Sequence, residues 1–335
     1  MPPHTDPALC DVTASPDPVA AFFEADRAGR MISLRTSGTT GPARSVVRTT
    51  QSWLASFEAV TVLLGMSSTS RVWVPGPLTA TMNLFAAVHA ADLGADRAGS
   101  AAGATHAVLT PTQLGQLTGD PSLSDVHVLV AGDRLSPALH DRAVRTGARV
   151  SHYYGAAELS FVAWGSHATN LQPFLEVEIS VRDGVLWVRS PYLCQGYGGT
   201  TGPLEVDGDG WASVGDRGDL HDGILRVAGR ADDVVTTAGA TVLVCDVEAA
   251  LGADAAGQVH AVGVPHPDLG QVLVAVLTEA EDLEPVRAAS RSRLVPSHRP
   301  RRWLHLPDVP LTTHGKVDRA ALTRLVTDGA GRSLV

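Results

Sequence analysis

Strand-like and helix-like segments alternate along the first half of the chain, and this alternation constrains the fold more than any other feature. The segments MISLRT, RVWVPG, THAVLTP and VHVLVAGD read as short strands, and stretches beside them such as TQLGQL and SPALHDRAV suit helices. Asp17 followed by Pro18 is typical of a helix start, here that of VAAFFEADRAG. The residues predicted to share one helical face are Trp53, Leu54, Phe57, Val60 and Leu64. Strand alternating with helix predicts a wound α/β sheet.

The pattern changes past the midpoint of the chain, where closely spaced β-type runs replace the alternation. FLEVEISVRDGVLWVRS places two such runs around Asp183 and Gly184, which is a hairpin signal. GDLHDGILRVAGR repeats the signal at Asp222 and Gly223. The segments VHAVGVP, QVLVAVLTE, EPVRAASRSRL and RRWLHL then predict a compact α+β tail.

These two patterns predict two domains. An N-terminal domain over residues 1–229 would hold the wound sheet and its β-rich appendage, after a frayed start over roughly 1–16. A small α+β domain over residues 230–335 would follow it.

Composition and charge exclude several classes of protein. The net charge is −9 and the acidic residues are dispersed, so the clustered basic stripe that nucleic-acid binding needs is absent. No apolar run approaches the roughly 18 residues of a membrane span, and the first residues show no secretory signal. Cys10, Cys194 and Cys245 lack the spacing of a metal site or a disulfide framework. We expect a cytoplasmic protein with neither nucleic acid nor membrane as a partner.

A loop rich in glycine and hydroxyl side chains follows the first predicted strand. Its residues are Thr36, Ser37, Gly38, Thr39, Thr40 and Gly41. Consecutive N–H groups of such a loop can form an anion nest, and the hydroxyls add donors to phosphate oxygens. The loop is not a Walker loop, because Ala43 stands where the second glycine of that motif would be. A P-loop phosphotransferase is therefore disfavoured.

Three further places in the chain carry groups suited to chemistry. Tyr154 and Glu158 follow the strand-like segment ARVS, so a ring and a carboxylate are expected at a strand end, where open α/β sheets bind ligands. Asp216 precedes the second hairpin signal and Arg230 follows it. The chain's 26 basic residues include a single lysine, Lys316. Composition alone leaves open whether this lysine is a stray surface cation or a reacting ammonium.

Six stretches, taken in order, resemble the successive signatures of the adenylate-forming superfamily, which includes acyl-CoA synthetases and peptide-synthetase adenylation domains. The six are TSGTTGPARSVV, YYGAAELS, LWVRSPYLCQGY, VGDRGDLHDGILRVAGRADDVV, VHAVGVPHPDLGQVLVAVL and LTTHGKVDRAAL. THAVLTPTQLGQL and YYGAAELSF are similar to the acyl-CoA ligase branch. The resemblance implies ATP-dependent activation of a carboxylic acid as an acyl-adenylate. The acyl group would then pass to the thiol of CoA or of a carrier protein's phosphopantetheine.

The resemblance also implies how the nucleotide is held. The loop from Thr36 to Gly41 would bind the β- and γ-phosphates. Tyr154, next to Gly155, would stack on adenine. Asp216 would accept hydrogen bonds from the ribose hydroxyls, and Arg230 would assist at the ribose or phosphate.

Catalytic roles are implied for a second set of residues. Glu158 would hold Mg²⁺, with Arg230 assisting. Lys316 would bridge the acid's carboxylate and the α-phosphate in the transition state. Asp232 would be the hinge about which a mobile C-terminal domain rotates between the two half-reactions. Residues expected to line the acid's pocket are Thr79, Met82, Asn83 and Ala156.

The chain departs from the family pattern in ways that keep alternatives open. Ala157 stands where a threonine is usual, and Arg44 where a lysine is common. Relatives usually carry more chain before the phosphate loop, so self-association or a partner chain is expected to cover exposed surface there. One alternative is a catalytically degenerate relative that binds an adenylate and acts with a partner. Another is an amide-forming ligase, which would use an amine in place of the thiol. The acid and the acceptor stay open.

Overall fold

The computed structural model describes residues 9–36, 44–199, 201–230, 234–313 and 315–334. Its helices are α1 (Pro18–Arg27), α2 (Gln51–Leu54), α3 (Phe57–Leu64), α4 (Thr81–Asp92), α5 (Pro111–Leu117), α6 (Pro137–Arg145), α7 (Val244–Gly252), α8 (Leu283–Arg293) and α9 (Arg319–Thr327). Short 3₁₀ turns span Val12–Ala14, Pro121–Leu123, Ala280–Asp282 and Pro296–His298.

The strands before residue 200 are β1 (Leu9–Asp11), β2 (Met31–Thr36), β3 (Arg44–Arg48), β4 (Arg71–Trp73), β5 (Asp96–Ala98), β6 (His106–Leu109), β7 (His127–Val130), β8 (Arg149–Ala156), β9 (Ser160–Gly165), β10 (Gln172–Pro173), β11 (Glu178–Arg182), β12 (Val185–Arg189) and β13 (Gly196–Tyr197). Those after it are β14 (Glu205–Val206), β15 (Ala212–Ser213), β16 (Asp216–His221), β17 (Ile224–Arg230), β18 (Val234–Thr237), β19 (Ala240–Leu243), β20 (Val259–His266), β21 (Gly270–Leu277), β22 (Arg302–His305) and β23 (Arg332–Ser333).

A seven-stranded sheet forms the centre of the first half, in the order β10-β9-β8-β7-β6-β4-β5. The five strands from β8 to β5 are parallel, and β9 and β10 add antiparallel strands at the other edge. All four residues of β6 and all four of β7 are buried, as expected for parallel strands covered on both faces. The predicted wound α/β sheet is confirmed, but MISLRT is not part of it. That segment forms β2 in a separate sheet of order β1-β2-β3-β13, because β3 follows it as an antiparallel partner.

The helix predicted around Trp53 and Leu64 is broken in two. α2 ends at Leu54 and α3 begins at Phe57. Between them, the Ser56 hydroxyl donates to the Trp53 carbonyl oxygen at 2.7 Å. Serine side chains compete in this way for backbone groups that a continuous helix would use. The predicted apolar face is otherwise largely buried: Trp53, Phe57 and Leu64 are 5% exposed or less.

Both predicted hairpins are present. β11 and β12 pair antiparallel around Asp183 and Gly184, whose φ angles are +51° and +77°. β16 and β17 pair around Asp222 and Gly223, with φ angles of +50° and +76°. Two consecutive positive φ angles are what a tight two-residue hairpin turn requires, and Asp-Gly adopts them readily. Together with β14 and β15 these four strands form the β-rich sheet, in the order β14-β15-β12-β16-β17 with β11 on β12.

The buried apolar side chains fall into separate clusters along the chain. Two clusters contain only residues before Gly229, and two contain only residues after Val234. The later clusters lie on the two faces of a sheet with the order β19-β18-β21-β22-β23, in which β20 also pairs with β21. Asp318 caps α9 by accepting from the Ala321 N–H at 2.9 Å. Within the described ranges, no helix is long and apolar enough to cross a membrane.

Two buried histidines make the folded state sensitive to acid. His89 and His152 are 2% and 3% exposed. Burial lowers the pKa of each to about 4, against 6.5 for an ordinary histidine, although a backbone hydrogen bond opposes the shift in both. The folded protein therefore keeps both rings neutral under conditions in which the unfolded chain protonates them.

We expect the free energy of unfolding to fall as the pH is lowered from 7 to 5. In this window the unfolded chain binds more protons than the folded chain, so each histidine costs on the order of 2 kcal/mol at pH 5. Urea unfolding followed by circular dichroism at several pH values checks this. His89→Gln should make the dependence on pH shallower, and an unchanged slope in that variant would contradict the assignment.

Candidate active site

The carboxyl ends of three parallel strands meet at one edge of the seven-stranded sheet. β6, β7 and β8 are in register there, since Leu109 pairs with Val130 and Val130 pairs with His152. Thr110 follows β6 directly, and Tyr154 lies two residues further along β8 than His152. Backbone turns and side chains from all three strands are therefore delivered to the same edge, where ligands bind in open α/β sheets.

Lys316 reaches this edge from the last part of the chain. A Cβ built on Gly132, just after β7, would lie 3.2 Å from Lys316 Cε and 3.7 Å from the Thr110 methyl group. Gly132 has a φ of +91°, a backbone angle that residues other than glycine rarely adopt. The lysine stem thus passes over a glycine turn that leaves room for it, and the ammonium is exposed.

A tight turn presents Lys316. The Thr312 N–H donates to the Lys316 carbonyl oxygen at 2.7 Å, and the Lys316 N–H donates back to the Thr312 hydroxyl at 3.3 Å. Gly315 has a φ of +75° and donates to the Thr312 carbonyl oxygen at 2.9 Å. Leu311 and Val317 form a bridge that closes the turn. Only Val317 and the capping residue Asp318 lie between the lysine and α9, so the lysine backbone is held between a closed turn and a helix.

Tyr154 and Asp216 form the second part of the site. The Tyr154 hydroxyl donates to Asp216 Oδ2 at 2.6 Å, and Asp216 is 9% exposed. Asp216 begins β16 and lies directly opposite Arg230 in the β16–β17 ladder. Tyr154 and Asp216, both predicted to bind the nucleotide, are thus in contact. The backbone of Arg230, the third predicted residue, pairs with that of Asp216. Gly155 is required because a Cβ there would collide with the Ser160 carbonyl oxygen.

Glu158 lies in the turn after β8 and is 6% exposed. The Tyr197 hydroxyl donates to Glu158 Oε1 at 2.8 Å. Burial, together with this carboxylate, raises the pKa of Tyr197, so the phenol stays a donor. Tyr197 therefore holds the Glu158 carboxylate in one position. Tyr197 was not predicted as a site residue, although it is the last residue of the motif LWVRSPYLCQGY.

A buried arginine lies behind Glu158. Arg48 is fully buried, and its Nη2 donates to the Tyr192 carbonyl oxygen at 2.8 Å. Its Nε and Nη1 have no hydrogen-bond partner among the residues that the structure describes. Burial lowers the pKa of Arg48 to about 10, a shift that the Glu158 carboxylate partly opposes. Nothing in the sequence distinguishes this arginine from the surface arginines, so it too was missed.

An apolar cavity lies between α4 and the central sheet, among α3, β4 and the strands from β6 to β9. The residues that line it are Val60, Leu64, Met66, Val72, Met82, Phe85, Ala86, His89, His106, Ala107, Val108, His127, Leu129, Tyr153 and Phe161. Two histidines, His106 and His127, both donate to the Leu64 carbonyl oxygen, at 3.0 and 2.9 Å. Burial lowers the pKa of both, so the lining carries little charge.

The remaining predicted residues are distributed unevenly. Met82 lines the cavity, whereas Thr79, Asn83 and Ala156 do not. The Asn83 amide instead donates to the Pro77 carbonyl oxygen at 3.0 Å, which fixes the turn before α4. Thr36 ends β2, opposite Arg44. The rest of the phosphate loop, 37–43, and Asp232 lie outside the described residues.

Comparison with known proteins places the chain in a family. The family profile described as the AMP-binding enzyme C-terminal domain matches residues 246–316. A probable 2-succinylbenzoate–CoA ligase from Mycobacterium tuberculosis is 31% identical over 360 residues, covering 96% of this chain and 91% of that protein. Among solved structures, an arginine-to-lysine variant of Escherichia coli MenE with bound OSB-AMS is 28% identical with a TM-score of 0.76, covering 90% of this chain and 69% of that one. The amide bond synthetase McbA from Marinactinospora thermotolerans is 26% identical with a TM-score of 0.70, covering 88% and 69%.

These likenesses agree with the fold and with the six signatures in the sequence. The chain belongs to the adenylate-forming superfamily, within its acyl-CoA ligase branch. It is a ligase, and the resemblance inferred from the sequence is confirmed.

Gly132→Ala tests whether the space beside Lys316 matters. We expect a loss of about 1 kcal/mol in stability from the positive φ and a further loss of acid activation, because the new methyl group displaces the lysine stem. Gly119→Ala is the matched control: its φ is +95°, and a Cβ there meets nothing within 4 Å. Urea unfolding and acid-dependent pyrophosphate exchange are measured on both variants. Equal activity in the two variants would contradict the placement of Lys316.

Proposed function

We propose that the protein joins a carboxylic acid to the α-phosphate of ATP, releases pyrophosphate, and transfers the acyl group to the thiol of CoA. The observation that carries this proposal is the position of Lys316. The chain's single lysine is brought from a distant turn to the strand edge where Thr110 and Gly132 lie.

The lysine supplies the charge that the first step needs. As the carboxylate attacks, negative charge gathers on the α-phosphate and on the leaving pyrophosphate, and an ammonium beside both stabilises that state. A compact point charge on a flexible stem can contact the carboxylate and the phosphate together. The loop ending at Gly41 is proposed to hold the β- and γ-phosphates through its N–H groups and hydroxyls.

The nucleotide is proposed to lie along Tyr154 and Asp216. The Tyr154 ring would stack on adenine, while its hydroxyl holds the Asp216 carboxylate. Asp216 would then accept from the ribose hydroxyls with its geometry already fixed. Arg230, opposite Asp216 in the ladder, would assist at the ribose or phosphate.

Magnesium fits the donor set at Glu158. The described residues contain no group of three or more His, Cys, Asp or Glu side chains that could hold a metal alone. Mg²⁺ in nucleotide enzymes commonly takes one or two carboxylates and completes its shell with phosphates and water. The Glu158 carboxylate, fixed by Tyr197, would be the protein's share. When bound, the ion would neutralise phosphate charge.

We propose that the units over 1–229 and 230–335 move relative to each other about Asp232. The separate apolar clusters before and after this position support two independently packed units. One arrangement would present Lys316 for adenylation, and a second would withdraw it for thioester formation.

The acid remains to be identified. The cavity at α4 is lined mainly by apolar and neutral side chains and is our proposed acyl pocket, with Met82 at its wall. The named activity of the relative from M. tuberculosis makes 2-succinylbenzoate the first acid to test. We propose that the protein is cytoplasmic. A carrier-protein thiol is an alternative acceptor to CoA, and a partner is proposed to cover the surface near the phosphate loop.

A second candidate function is amide formation. It is favoured by the likeness to the amide bond synthetase McbA, which shares the fold at 26% identity. Competition between CoA and amines for a preformed acyl-adenylate separates the two acceptors. A degenerate, non-catalytic relative is the third possibility, since Ala157 lacks the usual hydroxyl.

Lys316→Ala is expected to lower acid-dependent ATP–pyrophosphate exchange by about 10²- to 10³-fold, because the transition-state charge loses its cation. Lys316→Arg keeps the charge but not its shape and should recover only part of the rate. The assay uses a panel of aliphatic and aromatic acids that includes 2-succinylbenzoate. If no acid supports exchange in the wild type while ATP still binds, the result supports the hypothesis of a degenerate, non-catalytic relative.

Tyr154→Phe and Tyr197→Phe should separate nucleotide binding from metal binding. Removing the Tyr154 hydroxyl takes one donor away from the Asp216 carboxylate, so we expect ATP affinity to fall about fivefold, the value of one hydrogen bond. Removing the Tyr197 hydroxyl should leave metal-free ATP affinity unchanged and raise the Mg²⁺ concentration needed for half-maximal rate. Calorimetric titration and magnesium-dependent kinetics measure the two effects. Identical profiles for the two variants would contradict the separate roles.

A further inference from the structure

The first turn of α5 contacts the later part of the chain. The Thr112 hydroxyl lies 3.3 Å from Gln258 Oε1 and 3.2 Å from Gln258 Nε2, so it can donate to the amide oxygen or accept from the amide nitrogen. Both side chains are half-buried. α5 packs beside the central sheet, whereas Gln258 directly precedes β20 in the last sheet. The contact therefore joins the two units across 146 positions of sequence.

Hydrogen bonds fix the backbone at Gln258. Its N–H donates to the Thr278 hydroxyl at 2.8 Å, and the Thr278 N–H donates to the Gln258 carbonyl oxygen at 3.1 Å. The Asp282 carboxylate accepts from the N–H groups of Ala256 and Gly257, both at 2.8 Å. The turn before β20 is thus fixed to the sheet, and the Gln258 side chain projects from it in a defined direction.

Thr112 is held as firmly, by the start of its own helix. Thr110 and Gln113 form a capping box, in which the Thr110 N–H donates to Gln113 Oε1 at 2.9 Å and the Gln113 N–H donates to the Thr110 hydroxyl at 3.3 Å. The same box faces the lysine turn. A Cβ built on Gly315 would lie 3.6 Å from both Gln113 Nε2 and the Thr110 methyl group.

Charges across the same boundary favour this arrangement. Arg134, in the loop after β7, is half-buried. Burial lowers its pKa, and the carboxylates of Glu248 and Asp246 on α7 and of the adjacent Asp133 partly oppose that shift. The attraction between Arg134 and the α7 carboxylates agrees with this arrangement, and the Thr112–Gln258 contact is the direct hydrogen bond between the two units.

We propose that Thr112 is a positioning residue for adenylation: by bonding Gln258, it holds the second unit so that Lys316 lies over Gly132. The residue acts through the lysine and touches neither acid nor nucleotide. The bond must break when the second unit turns for thioester formation, so it contributes to the first half-reaction and not to the second.

The inference rests on the proposed function and makes a kinetic prediction of its own. Thr112→Val keeps the shape of the side chain and removes the hydroxyl. We expect kcat for acid adenylation to fall about fivefold, with KM for ATP and for the acid unchanged. Thioester formation from supplied acyl-adenylate should be unchanged or faster. Gln258→Leu should have the same effects as Thr112→Val. The double variant should be no slower than either single variant, because both substitutions remove the same contact.

Thr118→Val is the matched control. It makes the same change at the residue that ends the same helix, where the Thr118 hydroxyl donates to the Gly115 carbonyl oxygen of α5 at 2.7 Å. Its adenylation rate should equal that of the wild type. A general loss of α5 stability would slow both threonine variants and both half-reactions alike, and that result would overturn the positioning role.

Crosslinking tests the alignment without relying on activity. The full chain with Thr112→Cys and Gln258→Cys is treated with a short bifunctional thiol reagent, and the joined peptides are identified by mass spectrometry. The 112–258 link should form in higher yield than a 118–258 link made in the same way. The linked protein should keep adenylation, lose thioester formation and regain it on cleavage of the link.

The outcomes separate this inference from the proposed function. Pyrophosphate exchange absent for every acid, with a high 112–258 crosslink yield, would remove the proposed function and leave the alignment standing. Normal exchange in the wild type with no preference for the 112–258 link would remove the inference alone. Full thioester formation in the linked protein would also overturn it, because the contact would then persist through both steps.

Discussion

The site depends on the in-register carboxyl ends of the parallel strands β6, β7 and β8. Because their register aligns Leu109, Val130 and His152, the turns that follow them open at one edge of the sheet. Everything proposed for chemistry is placed relative to that edge. Tyr154 lies on it, Gly132 provides a turn without a side chain, and Lys316 is brought to it from the last part of the chain.

Bringing Lys316 there requires the lysine turn to meet the first turn of α5 with little error. The lysine turn is closed by its own hydrogen bonds, and the first turn of α5 is closed by its capping box. The contact between the Thr112 and Gln258 side chains, each carried by a fixed backbone segment, is proposed to set this geometry. Misplacing a reacting group by about 1 Å is costly for catalysis.

The buried charges differ in how well they are matched. Glu248 accepts from Arg319 at 2.9 and 2.6 Å and from the Ala261 N–H at 2.8 Å. Burial alone would raise the pKa of Glu248, but the attraction of Arg319 outweighs it and holds that pKa below its usual range. Among the described residues, Arg48 Nε and Nη1 have no hydrogen-bond partner, and burial lowers the pKa of Arg48 to about 10. The Glu248–Arg319 pair serves the packing of the later unit. Arg48 instead lies near Glu158, the carboxylate proposed to bind the metal.

Local features of the fold could be predicted from the sequence, because they depend on neighbours in the chain. The Asp183 and Asp222 hairpins, the Asp318 cap and the strand–helix alternation all have signals a few residues long. The lysine was found by its rarity and by its motif. The break at Ser56 was missed, since helical periodicity continues through it and only a side-chain hydrogen bond interrupts the helix.

The partners of the site residues could not be predicted. Tyr197 meets Glu158 across 39 positions, Arg48 meets Tyr192 across 144, and Thr112 meets Gln258 across 146. Periodicity and turn chemistry describe which face a residue is on, but not which distant residue packs against it. These contacts nevertheless decide whether a carboxylate is fixed and where an ammonium lies.

The most direct test of the central claim follows an oxygen atom. A carboxylic acid that supports turnover is prepared with heavy oxygen in its carboxyl group and incubated with ATP, magnesium and CoA, and the phosphate products are analysed by mass spectrometry. If Lys316 promotes attack of the carboxylate on the α-phosphate, the AMP released gains one heavy oxygen per thioester formed, and pyrophosphate gains none. Heavy oxygen in inorganic phosphate, or AMP without label, would contradict an acyl-adenylate and the account built on it.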